Sequence, residues 1–169
     1  TLFPYTTLFR SVVCNPTWDY GSGKYKVENG EHVFEPAIYQ LPISARLRGL
    51  VEEASDQTVL DSISHSFSGE TPTTKLRVHV GPLASGAAVL ADELAYKAVQ
   101  KQHRKLMGID MEAYAVMLAG YEAPNPVPET IVLKGVSDFA DTKKGDRFRY
   151  YAAHVSAQFL AHLAEKKGL

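Results

Sequence analysis

Gly108-Ile109-Asp110-Met111-Glu112-Ala113-Tyr114-Ala115-Val116 and Leu133-Lys134-Gly135-Val136-Ser137-Asp138-Phe139-Ala140-Asp141 are the two stretches on which the reading of this chain turns. In the first, Glu112 opens an apolar run that reads as a helix over 108–118. In the second, Asp138 ends an apolar run that reads as a strand over 130–136. Ligands of open α/β sheets bind where strands end and helices begin, at the carboxyl edge. Two acids converging there are placed to divide the binding of a sugar and the protonation of a leaving group.

The surrounding sequence supplies the rest of such a sheet. Val12-Val13-Cys14 reads as the end of a buried strand, broken by Asn15-Pro16. The stretch 18–24, with Gly21 and Gly23, reads as a loop, and 25–33, split by Asn29-Gly30, as a hairpin. After Pro42, Leu47, Leu50 and Val51 fall at helical spacing. Residues 58–63 fit a strand or more helix. Residues 76–80 read as a strand, followed by Gly81-Pro82-Leu83-Ala84-Ser85-Gly86, where small residues would let a backbone approach a ligand. Residues 87–102 read as helix, 122–129 with three prolines as a surface connection, and 147–166 as a long amphipathic helix with Ala152, Val155, Phe159 and Leu163 on one stripe. Strands alternating with helices imply an α/β sheet with helices on both faces.

Length and composition narrow the function classes. The 169 residues are about one domain, 45% hydrophobic and 22% charged, with a net charge of −1. That charge argues against a nucleic-acid or membrane-surface partner, since either usually needs a basic face. Cys14 is the single cysteine, which excludes an internal disulfide or a cysteine metal cluster. No apolar run approaches the ~20 residues that span a bilayer, and a cytoplasmic enzyme or binding domain is expected. The opening residues 1–11 match one reading frame of a short-read sequencing adapter and do not begin with Met. They are expected to be a non-native tail, with 12–169 the C-terminal part of one domain.

Each candidate residue also has a structural reading. Asp138 suits a helix N-cap. Asp141 offers the same chemistry, however, and the apolar neighbours Val136 and Phe139 would favour the protonated carboxyl that a general acid needs. For Glu112, a first-turn acid favoured by the helix dipole is the simpler reading, with Asp110 as the cap; the alternative is a carboxylate accepting two hydroxyls of a sugar diol. Trp18 and Tyr20 read as packing residues, His79 as a strand histidine, and His103 as part of a solvated basic stretch with Lys101, Arg104 and Lys105. No nucleophile elbow, phosphate loop or zinc pattern is present.

Taken in order, three segments resemble the nucleoside phosphorylase/nucleosidase superfamily, which includes purine nucleoside phosphorylases, uridine phosphorylases and methylthioadenosine/S-adenosylhomocysteine nucleosidases. Gly81–Gly86 resembles its Gly-x-(Ile/Met)-Ala-Ser-Gly segment, Asp110-Met111-Glu112-Ala113 its Asp/Glu-Met-Glu-Ala signature, and Ser137-Asp138-Phe139-Ala140-Asp141 its Ser-Asp-x-Ala-Asp signature. The resemblance runs from about Val12 to the C-terminus. It implies a phosphorylase/hydrolase-like three-layer α/β sandwich around a mixed sheet, truncated at the N-terminus. It further implies that Asp138 protonates purine N7, that Glu112 binds the ribose 2′- and 3′-hydroxyls, and that Met111 packs under the sugar. Val89 and Leu90 fall where the family packs the base, and Ser85, Gly86 and Ser137 are expected to line the substrate. The transition state would be oxocarbenium-like. A protonated Asp138 can give its hydrogen to N7 while its other oxygen accepts from a 6-amino group, which favours adenine-type substrates.

Tyr114 and Val116 depart from the residues that commonly follow Met-Glu-Ala, and the superfamily's N-terminal half, with its phosphate-contacting loops and water-activating acid, has no counterpart here. The expectation is a hydrolase cleaving the N-glycosidic bond of a purine nucleoside or nucleotide. It needs no metal or organic cofactor and works in an intact protein that is a homo-oligomer. The alternatives are phosphorolysis with inorganic phosphate as co-substrate, a nucleoside sensor without turnover, and an inert gene fragment. The chain by itself is expected to be inactive and marginally stable, because a sheet cut open before Val12 exposes edges and apolar faces.

Overall fold

The structure is a computed structural model, and it describes residues 10–88, 90, 92–136 and 148–167. In chain order the elements are β1 (Arg10–Asp19), β2 (Gly23–Glu28), β3 (Glu31–Pro36), α1 (Ala45–Ala54), α2 (Gln57–His65), β4 (Arg77–Ser85), α3 (Glu93–Gln102), β5 (Gly108–Asp110), α4 (Ala113–Tyr121), β6 (Leu133–Gly135) and α5 (Arg149–Lys167). One sheet has the order β5-β4-β1-β6, and β2 and β3 form a separate ribbon. β1, β4 and β5 run parallel, and β6 runs antiparallel to β1. This is the α/β class that the alternating pattern implies, with the mixed sheet that the resemblance implies.

Helix starts follow from side-chain caps, which satisfy the first free backbone N–H groups. Ser44 accepts from the Leu47 N–H at 3.1 Å and starts α1, which buries Leu47 and Val51. Asp56 accepts from the Thr58 N–H at 2.8 Å and turns the ambiguous stretch 58–63 into helix. Asp92 accepts from Leu94 and Ala95, so α3 begins at Glu93, later than the apolar run suggested. α5 carries the expected stripe, burying Tyr151, Ala152, Val155, Phe159 and Leu163. The hairpin turn has Asn29 at φ 53° and Gly30 at φ 83°, the positive values that a two-residue turn between twisted strands requires.

The sheet corrects three expectations. Asn15-Pro16 does not end β1, which continues to Asp19 with Thr17 and Trp18 fully buried. Cys14 pairs with Gly81 but Thr17 with Leu83, so β1 holds one extra residue opposite Pro82. A bulge is where a strand tolerates residues without an N–H, and both Pro16 and Pro82 sit at this one. The loop expected over 18–24 is therefore only the short turn between β1 and β2. Second, Gly81 to Ser85 does not follow the strand but is the buried second half of β4, paired with β1 on either side of Pro82 and with β5 from Leu83 onward. Third, the helix expected over 108–118 begins as β5; the helix proper starts at Ala113, whose N–H Asp110 accepts at 3.0 Å. Arg10 and Ser11 stand in β1 opposite Arg77 and Val78, and Ser11 is fully buried.

Two apolar clusters hold the sheet. The larger joins Val12, Val13 and Cys14 of β1 to Leu47 and Val51 of α1, Met117 of α4, and Phe159 and Leu163 of α5. The smaller joins Trp18 and Ala84 at the far end of the sheet to Tyr96 and Val99 of α3 and to Leu106. Trp18 is the packing residue its sequence context suggested; its indole N–H donates to Gln102 at 2.9 Å. The basic stretch around it is exposed as expected, but His103 itself is half-buried and stacks on Trp18 at 5.3 Å between ring centroids.

Candidate functional site

The junction between β5 and α4 presents three consecutive residues, Asp110, Met111 and Glu112. Asp110 is the most constrained. Both its carboxylate oxygens accept from the Ala113 N–H, at 3.3 and 3.0 Å, so Asp110 performs the helix-capping work. Glu112 occupies the cap position by backbone but makes no side-chain cap bond. Its carboxylate is instead ion-paired to the Lys134 ammonium on β6. Lys134 also lies 2.9 Å from Asp110. The side chains of Asp110, Lys134 and Glu112 are 10%, 33% and 63% exposed, a graded series running from the core to the surface.

Of the two acids expected on one carboxyl edge, only Glu112 lies within the described residues, and the strand that leads toward Asp138 does not run with the parallel strands. Because β6 is antiparallel to β1, Gly135 at its carboxyl end pairs with Ser11, while Ser85 and Asp110 end the parallel strands. α4 packs back over β1 and β4 with Ala113 and Met117 in the larger cluster. The Glu112 carboxylate thereby reaches β6 three residues before Ser137 in sequence. Ser137 and Asp138 themselves lie outside the described residues, as does Val89.

The remaining candidates take separate places. Ser85 is buried at the end of β4, and its carbonyl accepts from the Tyr20 N–H at 2.9 Å. Gly86 donates its N–H to the Asp110 carbonyl at 3.1 Å, which ties the end of β4 to the acidic junction. A Cβ on Gly86 would collide with the Tyr20 ring, whose hydroxyl donates to the Ala88 carbonyl at 2.8 Å. Glycine at 86 is thus required by Tyr20. Leu90 packs against the smaller cluster beside Trp18. Met111 is 45% exposed, a large apolar side chain next to Glu112 in the chain.

Electrostatics at the junction follow from this packing. Burial pulls the Lys134 ammonium down, but its hydrogen bonds to Glu112 and Asp110 outweigh that and hold it above the usual lysine value. Burial, reinforced by the Asp110 charge, pushes the neighbouring Cys14 thiol up to about 12. The sequence reading missed Lys134. Its signal was a lone charge within the apolar run 130–136, just before the Ser-Asp pair. Among the described residues no cluster of His, Cys, Asp and Glu is placed to hold a metal ion, and no helix is long and apolar enough to cross a membrane.

Comparison with known proteins decides the family. The family model described as the phosphorylase superfamily matches residues 7–166. The chain belongs to the phosphorylase superfamily. A curated relative, the uncharacterized protein y4jS of Sinorhizobium fredii, is 39% identical over 153 residues, which are 90% of this chain and 37% of the relative. Among solved structures, a 5′-methylthioadenosine/S-adenosylhomocysteine nucleosidase from S. pneumoniae, bound to a transition-state inhibitor, superposes with a TM-score of 0.67 at 16% identity, covering 95% of this chain and 63% of that one. The futalosine hydrolase of Helicobacter pylori superposes with a TM-score of 0.66 at 17% identity, covering 98% and 64%. The fold expected from the three motifs is the fold these superfamily structures share. The chain spans little more than a third of the curated relative's length and less than two thirds of the solved ones.

Proposed function

We propose that this chain supplies the nucleoside-binding and leaving-group half of an enzyme that hydrolyses the N-glycosidic bond of a purine nucleoside or nucleotide, preferring adenine-type bases. The observation that carries this reading is the state of Glu112. It stands at a helix start with its capping role already taken by Asp110, exposed beside Met111, and drawn to the strand that leads into Ser137-Asp138. A carboxylate so placed can accept both hydroxyls of a ribose. Asp138, on the segment after β6, is the proposed general acid, giving its proton to purine N7 so that the base leaves neutral. Ser137, Ser85, Gly86, Val89 and Leu90 are assigned to the walls around base and sugar. Similarity in fold to nucleosidases and a futalosine hydrolase supports hydrolysis over phosphorolysis. The reaction proposed takes place in the cytoplasm of the source cell, in a homo-oligomer, with no organic cofactor.

The test uses the full-length protein. Asp138→Asn keeps the side chain's shape and removes its transferable proton, so kcat for adenine release should fall by ~10²–10⁴ while binding persists. Glu112→Gln should weaken adenosine far more than 2′,3′-dideoxyadenosine. Wild-type turnover in Asp138→Asn, or equal losses on both ligands in Glu112→Gln, overturns the corresponding role. Base release that requires inorganic phosphate would make the enzyme a phosphorylase.

A further inference from the structure

The arrangement around Lys134 goes one step past that reading and rests on it. Glu112 is 63% exposed and has no cap bond, so nothing on its own helix fixes its carboxylate. Asp110, two residues earlier, is 10% exposed and locked by the Ala113 N–H. Lys134 joins the two: its ammonium lies 2.9 Å from Asp110 and is bonded to Glu112 as well. Its backbone is fixed in turn, because Lys134 on β6 pairs with Val12 of the inner strand β1. We propose that Lys134 is the positioning residue for the sugar-binding acid. Anchored on Asp110, it sets where the Glu112 carboxylate sits and so confers selectivity for a ligand with a vicinal diol.

Two physical points support a role beyond surface pairing. An exposed ion pair between two long side chains ordinarily holds neither in place, since the entropy of ordering them offsets the attraction. Here one partner is nearly buried and hydrogen-bonded, so the lysine is ordered before it meets Glu112. The cation also separates two acids that would otherwise repel at the mouth of the site, and leaves Glu112 a second oxygen and spare lone pairs for hydroxyl donors.

The experiment compares KM and kcat for adenosine and for 2′,3′-dideoxyadenosine in the full-length wild type and in Lys134→Met, Lys134→Arg, Asp110→Asn and Glu112→Gln. Lys134→Met should raise KM for adenosine roughly tenfold and leave the dideoxy ligand nearly unchanged, a difference of about 1.4 kcal/mol. Lys134→Arg, which keeps the charge and can span two carboxylates, should restore most of it. Asp110→Asn, which retains a capping oxygen, should show the same diol-selective loss in smaller measure, and it carries the test if Lys134→Met does not fold. In a background of Glu112→Gln, Lys134→Met should add little, because the two act as a unit. If Glu112→Gln loses diol selectivity while Lys134→Met and Asp110→Asn keep it, the positioning role is overturned and the sugar-binding role of Glu112 stands. If Glu112→Gln itself affects both ligands equally, the functional reading falls and the positioning role falls with it.

Discussion

At the scale of single residues, two groups next to one another make opposite demands on their surroundings. Asp110 caps α4 and pairs with Lys134, whereas burial beside it keeps the Cys14 thiol protonated. Asp110→Ala removes the only side-chain cap bond of α4 among the described residues. It should destabilise the protein by about 1–2 kcal/mol, read as a shift in the urea midpoint, with Asp110→Asn costing less. Cys14 is fully buried, and its pKa is raised from the ordinary 9.0 to about 12. The folded state therefore holds the thiol proton more tightly than the unfolded state. The resulting stability is fully present below the unfolded value of 9.0 and is lost as pH rises toward the folded value of about 12. Urea midpoints measured at about pH 8 and about pH 11 should fall more steeply in wild type than in Cys14→Ala. Parallel slopes would mean that the thiol does not contribute. The native thiol should also resist disulfide reagents at neutral pH, because the thiolate is the reacting form.

Elements here are placed by their ends and by the few points where backbones approach closely. Gly30 sits at φ 83° with open space where a Cβ would go, so Gly30→Ala is penalised by conformation alone, about 1–2 kcal/mol. Thermal melts of the two proteins should differ accordingly, and an unchanged melting midpoint would show that the ribbon folds independently of global stability. Gly135 presents the opposite case. A Cβ there would meet the backbone carbonyl of Ala152, so β6 and α5 cannot keep their spacing. Gly135→Ala should cost about 1–3 kcal/mol. Because Lys134 adjoins this contact, the same variant should also disturb ligand binding, which Gly30→Ala should leave intact.

For the whole molecule, α5 is the element that ties the helical layer to the sheet. It packs on β1 and β6 and on α1 and α2. Phe159 at its middle is fully buried in the larger cluster. Phe159→Ala should destabilise by about 3–5 kcal/mol, a large share of the 5–15 kcal/mol that domains generally possess. Loss of the cooperative unfolding transition at ambient temperature is the expected result if the total lies at the low end. The smaller cluster around Trp18 and Tyr96 is separate from Phe159, so near-ultraviolet signals from Trp18 should outlast partial loosening around α5.

What the sequence alone determined is whatever depends on neighbours in the chain. The Asn29-Gly30 turn, the helical spacing after Pro42, the apolar stripe of α5 and the three ordered motifs are local patterns, and the superfamily and α/β class follow from them. What only the tertiary structure decided depends on residues far apart. β1 runs on through Asn15-Pro16 because Pro82 on a distant strand lies opposite the extra residue. Gly81 to Ser85 is strand because β1 and β5 flank it. Glu112 is released from capping by Asp110, which a local reading could anticipate. That it is then taken up by Lys134, twenty-two positions away, follows from the antiparallel placement of β6. Pairing across a sheet is chosen by backbone hydrogen bonds that carry no side-chain signature, and no periodicity in one segment reports which other segment lies beside it.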